Sequence, residues 1–332
     1  RNAESRAALE AAIKALAADL IATPPEVVVL APPNTVLRTS SGKIRRGACR
    51  ALYEQGHIGA AGTAVWLQVT RLALAGVGPQ CVRAWRNGCA WLYSCYAWSV
   101  FVPLALSTWL LAMLPLPTRW VWRGARGMAR LLARLTGTSL RARKLHDLPP
   151  PGTAAVLVVN HQSYLDGMLM LAVLPRPPRF LIKAELRESA ALARPLTRLG
   201  ALFVERFDAA GGLAGMQAAA AALRAGELLV IFPEGTFKRM PGLLPFHMGA
   251  FTIAAQTAAP LVPVAIRGTR AILRAGAWFV RHGAIEVSAG DALRAGGSND
   301  IWRESLALRD AARSHILAHC GEPDLAYESN AD

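Results

Sequence analysis

From residue 153 onward, short apolar runs alternate with helical stretches, and that alternation sets the class of fold. The runs are Ala154–Val159, Arg179–Ile182, Gly200–Glu205, Glu227–Phe232, Pro260–Ile266 and Ala284–Ser288. Helical stretches lie between them, notably Gly212–Ala225, and a terminal one covers Ile301–His319. Strands that alternate with helices build a largely parallel sheet. The expected class is therefore α/β, a mixed, largely parallel sheet flanked by helices. The run Pro149-Pro150-Pro151-Gly152 marks a boundary in front of it.

Upstream of that boundary the chain is greasy and basic. No charged residue occurs between Arg86 and Arg119, and the interval holds Trp91, Tyr93, Tyr96, Trp98 and Trp109 among Leu, Val and Ala. About 20 such residues in a helix cross the hydrocarbon of a bilayer, and aromatic residues near the ends suit its interface. The segment 58–118 is therefore expected to be an apolar linker and a membrane-embedded segment, the uncharged stretch 87–118 being the embedded part. Both flanks are basic, which holds both on the cytosolic side. Pro103 is expected to break the run into two short halves of a re-entrant hairpin. The location that follows is the inner (cytoplasmic) membrane, with the active site on the cytoplasmic face. Arg119, Arg123, Arg126, Arg130 and Arg134 come next, within about an 80° arc of one helix face. An Arg-striped helix over 119–148 predicts an interfacial element touching anionic lipid.

The chain has 332 residues, net charge +15 and 53% hydrophobic residues. That balance points to an anionic lipid surface. Nucleic acid is the other partner such charge attracts, but no nucleic-acid module is visible and none is expected to bind. Of the 37 basic residues 32 are Arg, a bias that genome composition also produces. The five cysteines form no Cys-x-x-Cys pair, as expected for reduced thiols. His315 and His319 stand four apart on a helix. Without further ligands nearby they read as surface histidines, so no metal is expected.

Residues 1–57 read as a separate small α/β piece. Leu9, Ile13, Leu16 and Leu20 recur at helical spacing, and Pro24-Pro25 precedes a short strand expected over Glu26–Ala31. The chain starts at Arg1, which suggests a fragment or processed product. Pro33, Thr39, Gly42, Lys43, Ile44 and Arg46 then form a basic loop. The loop resembles the final motif of adenylate-forming enzymes, the acyl-CoA synthetase and fatty acyl-AMP ligase superfamily. That resemblance implies that Lys43 is an adenylation lysine, here in a remnant inactive alone.

Four blocks carry the chemistry: NHQSYLD at 160–166, GALFVER at 200–206, FPEGT at 232–236 and VPVAI at 262–266. His161 follows the first strand, and Ser163-x-x-Asp166 has the pattern of a capping box. Within one regular helix, residues five apart diverge by about 140°. His161 meets Asp166 only if it precedes the helix and folds back over its first turn. An alcohol is a poor nucleophile at neutral pH, so a base must take its proton as it attacks a carbonyl. Asp166 would fix the imidazole tautomer. No G-x-S-x-G elbow is present, so no acyl-enzyme is implied. Arg206 suits a phosphorylated acceptor through bidentate contacts. Gly235 and Thr236 offer N–H and hydroxyl groups to an anion, and Glu234 can accept from acceptor hydroxyls. Pro263 is expected to shape a strand end and a pocket wall.

In this order the blocks resemble the four motifs of the glycerolipid acyltransferase family, which includes 1-acylglycerol-3-phosphate acyltransferases. The likeness covers about 150–320, roughly half the chain, and gives domains at 1–57, 58–118, 119–148, 149–320 and a tail at 321–332. It implies His161 as base with Asp166 its partner, and Arg206 binding phosphate. Glu234, Gly235 and Thr236 would bind the acceptor, and Lys183 matches a basic position before the second motif. It also implies a lysophospholipid acceptor, acyl-CoA or acyl-carrier protein as donor, and no cofactor or metal. The family places Arg after FPEGT; here Phe237 stands there, and Lys238 is expected to supply the charge. A ligase-fused acyltransferase acting on lysophosphatidylethanolamine and a non-catalytic lipid-binding domain are the alternatives.

Overall fold

The computed structural model describes residues 3–21, 24–31, 35–39, 42–56, 58, 63–205, 209–297 and 300–326. The chain divides into two compact units, Arg1–Arg86 and Asn87–Asp332.

The first unit contains helix α1 (Ala3–Ile21) and helix α2 (Arg46–Glu54). Arg38 and Ile44 form an antiparallel bridge, and between them the Lys43 N–H donates to Thr39 Oγ1 at 3.1 Å. The strand expected over Glu26–Ala31 does not form. Among the described residues the segment has no ladder partner, and an unpaired strand leaves its backbone to water. Leu9, Leu16 and Leu20, the apolar stripe of α1, are exposed.

Helix α3 (Thr63–Met113) runs unbroken through Pro103. The re-entrant hairpin expected at Pro103 is therefore absent. Proline costs one intrahelical hydrogen bond, but tertiary anchors hold the helix on both sides of it. Tyr93 donates to Thr136 O at 3.0 Å, Trp98 Nε1 to Trp278 O at 2.8 Å and Trp109 Nε1 to Ala191 O at 2.7 Å. Helix α4 (Thr118–Leu135) follows and buries Val121, Trp122, Ala125 and Ala129. Its arginines divide between two roles. Arg119, Arg123 and Arg134 are exposed, whereas Arg126 and Arg130 donate through Nε to Ala172 O at 3.4 and 2.9 Å. The α4 helix stops at Leu135, so 119–148 is not one helix.

The sheet has seven strands in the order β1-β7-β6-β2-β5-β3-β4. They are β1 (Ser139–Arg143), β2 (Ala155–Val159), β3 (Pro178–Lys183), β4 (Ala201–Val204), β5 (Leu228–Ile231), β6 (Leu261–Arg267) and β7 (Ala284–Ala289). All pairs are parallel except β6 with β7. Six strands lie where the apolar runs predicted them. The seventh, β1, precedes the expected boundary at Pro149 and was hidden because its SLRAR sequence is polar and faces solvent. It is an edge strand, and Arg143 pairs across it with Glu286 at 2.9 Å.

The centre of the sheet is β2, whose five residues are all fully buried. Its side chains alternate between two cores, as strand geometry requires. Val156 and Val158 join the core beneath α7 (Ala209–Arg224), α8 (Gly249–Thr257) and α10 (Ile301–Cys320). Ala155, Leu157 and Val159 join the opposite core, which includes Leu169 and Met170 of α5 (Asp166–Val173). A helix α6 (Ala190–Arg198) precedes β4, and a single turn, α9 (Thr269–Ile272), follows β6.

The turn into β5 tolerates only glycine at 226. Its φ is +76° and an added Cβ would lie 2.2 Å from Gly152 O. Gly226→Ala is expected to cost about 2 kcal/mol or more in unfolding free energy, read by denaturant titration in detergent. A loss under about 0.5 kcal/mol, the range of ordinary surface changes, would contradict this.

Candidate active site

The strand-end turn after β2 brings His161 and Asp166 together. Asp166 opens α5, and its Oδ2 lies 2.8 Å from His161 Nδ1. The same oxygen accepts the backbone N–H groups of Gln162 at 2.6 Å and Ser163 at 2.8 Å. An oxygen that accepts two backbone donors has no room for a proton of its own, so the third contact must be a donation from the ring. Asp166 is fully buried, and the His161 side chain is 20% exposed. The turn is fixed from the other side by Ser163 Oγ, which donates to Leu273 O at 2.7 Å. The capping box thus works mainly through its acid, which reaches back to the turn.

Two further blocks hold this turn through backbone groups. Asn160 donates through Nδ2 to Ile266 O at 3.0 Å and accepts from Ile266 N–H at 2.7 Å. This side chain extends the β2–β6 pairing one step beyond the backbone register, which ends at Val159 opposite Val264. Glu234 is 1% exposed. Its Oε1 accepts the His161 N–H at 2.6 Å, and its Oε2 accepts the Leu244 N–H at 2.8 Å. Each oxygen accepts one backbone N–H, so Glu234 ties His161 to the segment at Leu244.

Gly235 takes φ +68° and its N–H donates to Phe232 O at 3.0 Å, which closes the turn and removes that donor from an anion. Thr236 is exposed, and Lys183 is exposed at the end of β3. Lys238 is half-buried. Arg206 lies outside the described residues. Lys43 is exposed in the first unit. Pro263 stands inside β6, buried, instead of at a strand end. His315 and His319 stack at 4.4 Å, and no cluster of three metal-ligating side chains occurs among the described residues.

Sequence reasoning missed the aromatic frame. The His161 ring stacks on Phe232 at 4.4 Å and meets Phe237 at 4.4 Å, and Phe237 touches Tyr164 at 4.7 Å. Phe237 therefore occupies space beside the imidazole. Tyr164 continues into a cavity of about 530 Å³. Its walls come from Ala97, Trp98 and Phe101 of α3, Ala129, Leu132 and Ala133 of α4, Met168 and Leu169 of α5, and the segment from Ile272 to Val280. Nearly all of that lining is apolar.

Burial drives the Glu234 carboxyl up to about 8, against the pull of its two backbone bonds. A folded value above the ordinary 4.5 means that the folded state holds the proton more tightly. The stability this proton binding contributes is full below about 4.5 and lost as pH rises through about 8. The unfolding midpoint of the wild type, taken relative to Glu234→Gln, is expected to decline between those limits. A difference that stays flat with pH would contradict that assignment.

Comparison with known proteins bears on this geometry. A family model described as Acyltransferase matches residues 139–267. The chain is 32% identical over 144 residues to the chloroplastic 1-acyl-sn-glycerol-3-phosphate acyltransferase BAT2 of Brassica napus, covering 43% of this chain and 42% of that one. It is 34% identical over 131 residues to the human 1-acyl-sn-glycerol-3-phosphate acyltransferase alpha, covering 39% and 46%. The chain thus spans less than half the length of either relative. In fold it is similar to the crystal structure of PlsC, the 1-acyl-sn-glycerophosphate (LPA) acyltransferase from Thermotoga maritima. The TM-score is 0.56 at 20% identity, with 71% of this chain and 97% of that one covered. Residues 139–267 thus match the acyltransferase family model, and the relatives over this region are 1-acyl-sn-glycerol-3-phosphate acyltransferases.

Proposed function

We propose that this chain is a membrane-associated O-acyltransferase that esterifies the free hydroxyl of a lysophospholipid from an acyl thioester in one step. The observation that carries the reading is a histidine oriented by a buried carboxylate, linked through Phe237 and Tyr164 to an apolar cavity. A cavity of this volume suits a ligand of drug size or larger with apolar surface, as a fatty acyl chain is.

In this scheme Nδ1 holds its proton against Asp166 and Nε2 is the base. The acceptor hydroxyl gives its proton to Nε2 as its oxygen attacks the thioester carbonyl. Collapse of the adduct breaks the C–S bond, and the imidazolium returns the proton to the departing thiolate. Atoms balance with no cofactor and no acyl-enzyme. The donor is acyl-CoA or acyl-carrier protein, and the acceptor a lysophosphatidic acid-like lipid. Arg206, Lys183 and Lys238 are proposed to meet its phosphate, since guanidinium and ammonium groups suit that charge. Thr236 is proposed to contact its polar head.

Membrane association rests on α3. Its stretch Gln80–Met113 has hydropathy 1.5, and only 11% of its most apolar window is buried within the protein. At about 1.5 Å per residue it exceeds the thickness of a hydrocarbon core. Exposed Leu92, Val102, Leu106 and Leu110 form a face suited to lipid. The basic flanks and the exposed arginines of α4 favour the cytoplasmic face of an inner membrane. For residues 1–57, the exposed stripe of α1 and the motif around Lys43 support a tail that once packed on an adenylate-forming domain.

Transfer of labelled acyl groups to a panel of lysophospholipids tests the reading. His161→Ala is expected to lose on the order of 10²–10⁴ in rate, and unchanged turnover would reject the base. Ala133→Phe, which fills the cavity wall, is expected to shift preference to shorter acyl chains. An unaltered chain-length profile would move the acyl site elsewhere.

A further inference from the structure

The segment after Phe237 is held by charged side chains that none of the four blocks contains. Arg270, in α9, donates through Nη1 to the carbonyls of Lys238 and Met240, the latter at 2.8 Å. Its Nε donates to Glu322 Oε1 at 2.8 Å. The other oxygen of Glu322 accepts the Gly242 N–H. The two side chains are 9% and 8% exposed. One buried ion pair thereby holds three backbone groups of a single five-residue stretch, 238–242. The stretch begins at Lys238, immediately after the ring that touches His161. The opposite end of α9 is joined to the catalytic turn through Leu273 O and Ser163 Oγ.

A buried ion pair is an expensive way to hold a fold, because apolar residues of similar volume serve stability as well or better. Its distinctive property is directional: a planar guanidinium fixes two carbonyls and a carboxylate at once, which a lysine ammonium cannot reproduce. We propose that Arg270 and Glu322 are positioning residues for acceptor binding, clamping 238–242 so that Phe237 keeps its place beside His161 and Lys238 is held directly after it. This rests on the acyltransferase reading above. The clamp acts on the lysophospholipid head and leaves the acyl cavity alone, since neither residue lines that cavity.

The test uses the full chain in detergent micelles with palmitoyl-CoA and 1-acylglycerol-3-phosphate. Arg270→Lys keeps the charge and removes the fork; Glu322→Gln keeps the volume and removes the charge. Each is expected to raise the acceptor KM on the order of tenfold, as displacement of a substrate-positioning element does, with the donor KM unchanged. A merely structural role would lower kcat through lost active protein and leave both KM values alone. That outcome, or failure of both variants to fold, overturns the proposal. If the wild type itself does not acylate this or any lysophospholipid, the functional reading fails instead.

Discussion

One carboxylate oxygen organises the candidate site. Asp166 Oδ2 receives the His161 ring and the N–H groups of Gln162 and Ser163, and so fixes the imidazole and its turn together. Charge-assisted hydrogen bonds of this kind are about twice as strong as neutral ones. Here they act where water is excluded, because Asp166 is fully buried. The turn inherits its place from β2, the most buried strand of the sheet. Core, turn and imidazole form one continuous chain of support.

The blocks belong together for a reason that is plain in three dimensions. The first block contributes Asn160 to the backbone of Ile266 in the fourth. The third contributes Glu234 to the backbone of His161 in the first. These contacts join side chains to main chain across 73 and 106 residues. A base on a loose loop would sample many geometries; each tie removes some of them before substrate arrives. The aromatic rings of Phe232 and Phe237 then give the imidazole apolar neighbours, and Tyr164 packs on Phe237.

Much of this was legible in the sequence. The six predicted strands were readable because buried strands are continuously apolar, and the His161–Asp166 pair because both partners sit in one turn. Four features were not. β1 is an edge strand with one face in water, so its SLRAR sequence carries little apolar signal. Pro103 looks like a breaker, but the anchors at Tyr93, Trp98 and Trp109 outweigh its local cost. The tie from Glu234 to the His161 turn was hidden because its partners are backbone N–H groups, which no residue type announces. The clamp from Arg270 to Glu322 spans 52 residues outside every block, where only the folded chain shows the pairing.

The central claim is that Asp166 holds the His161 proton on Nδ1 and leaves Nε2 free as the base. Nitrogen-15 NMR of ring-labelled protein, with His161→Gln to assign the signal, reads the tautomer directly. The account predicts a protonated Nδ1 and an unprotonated Nε2 in the resting neutral imidazole. A resting proton on Nε2, with Nδ1 bare toward Asp166, would contradict it.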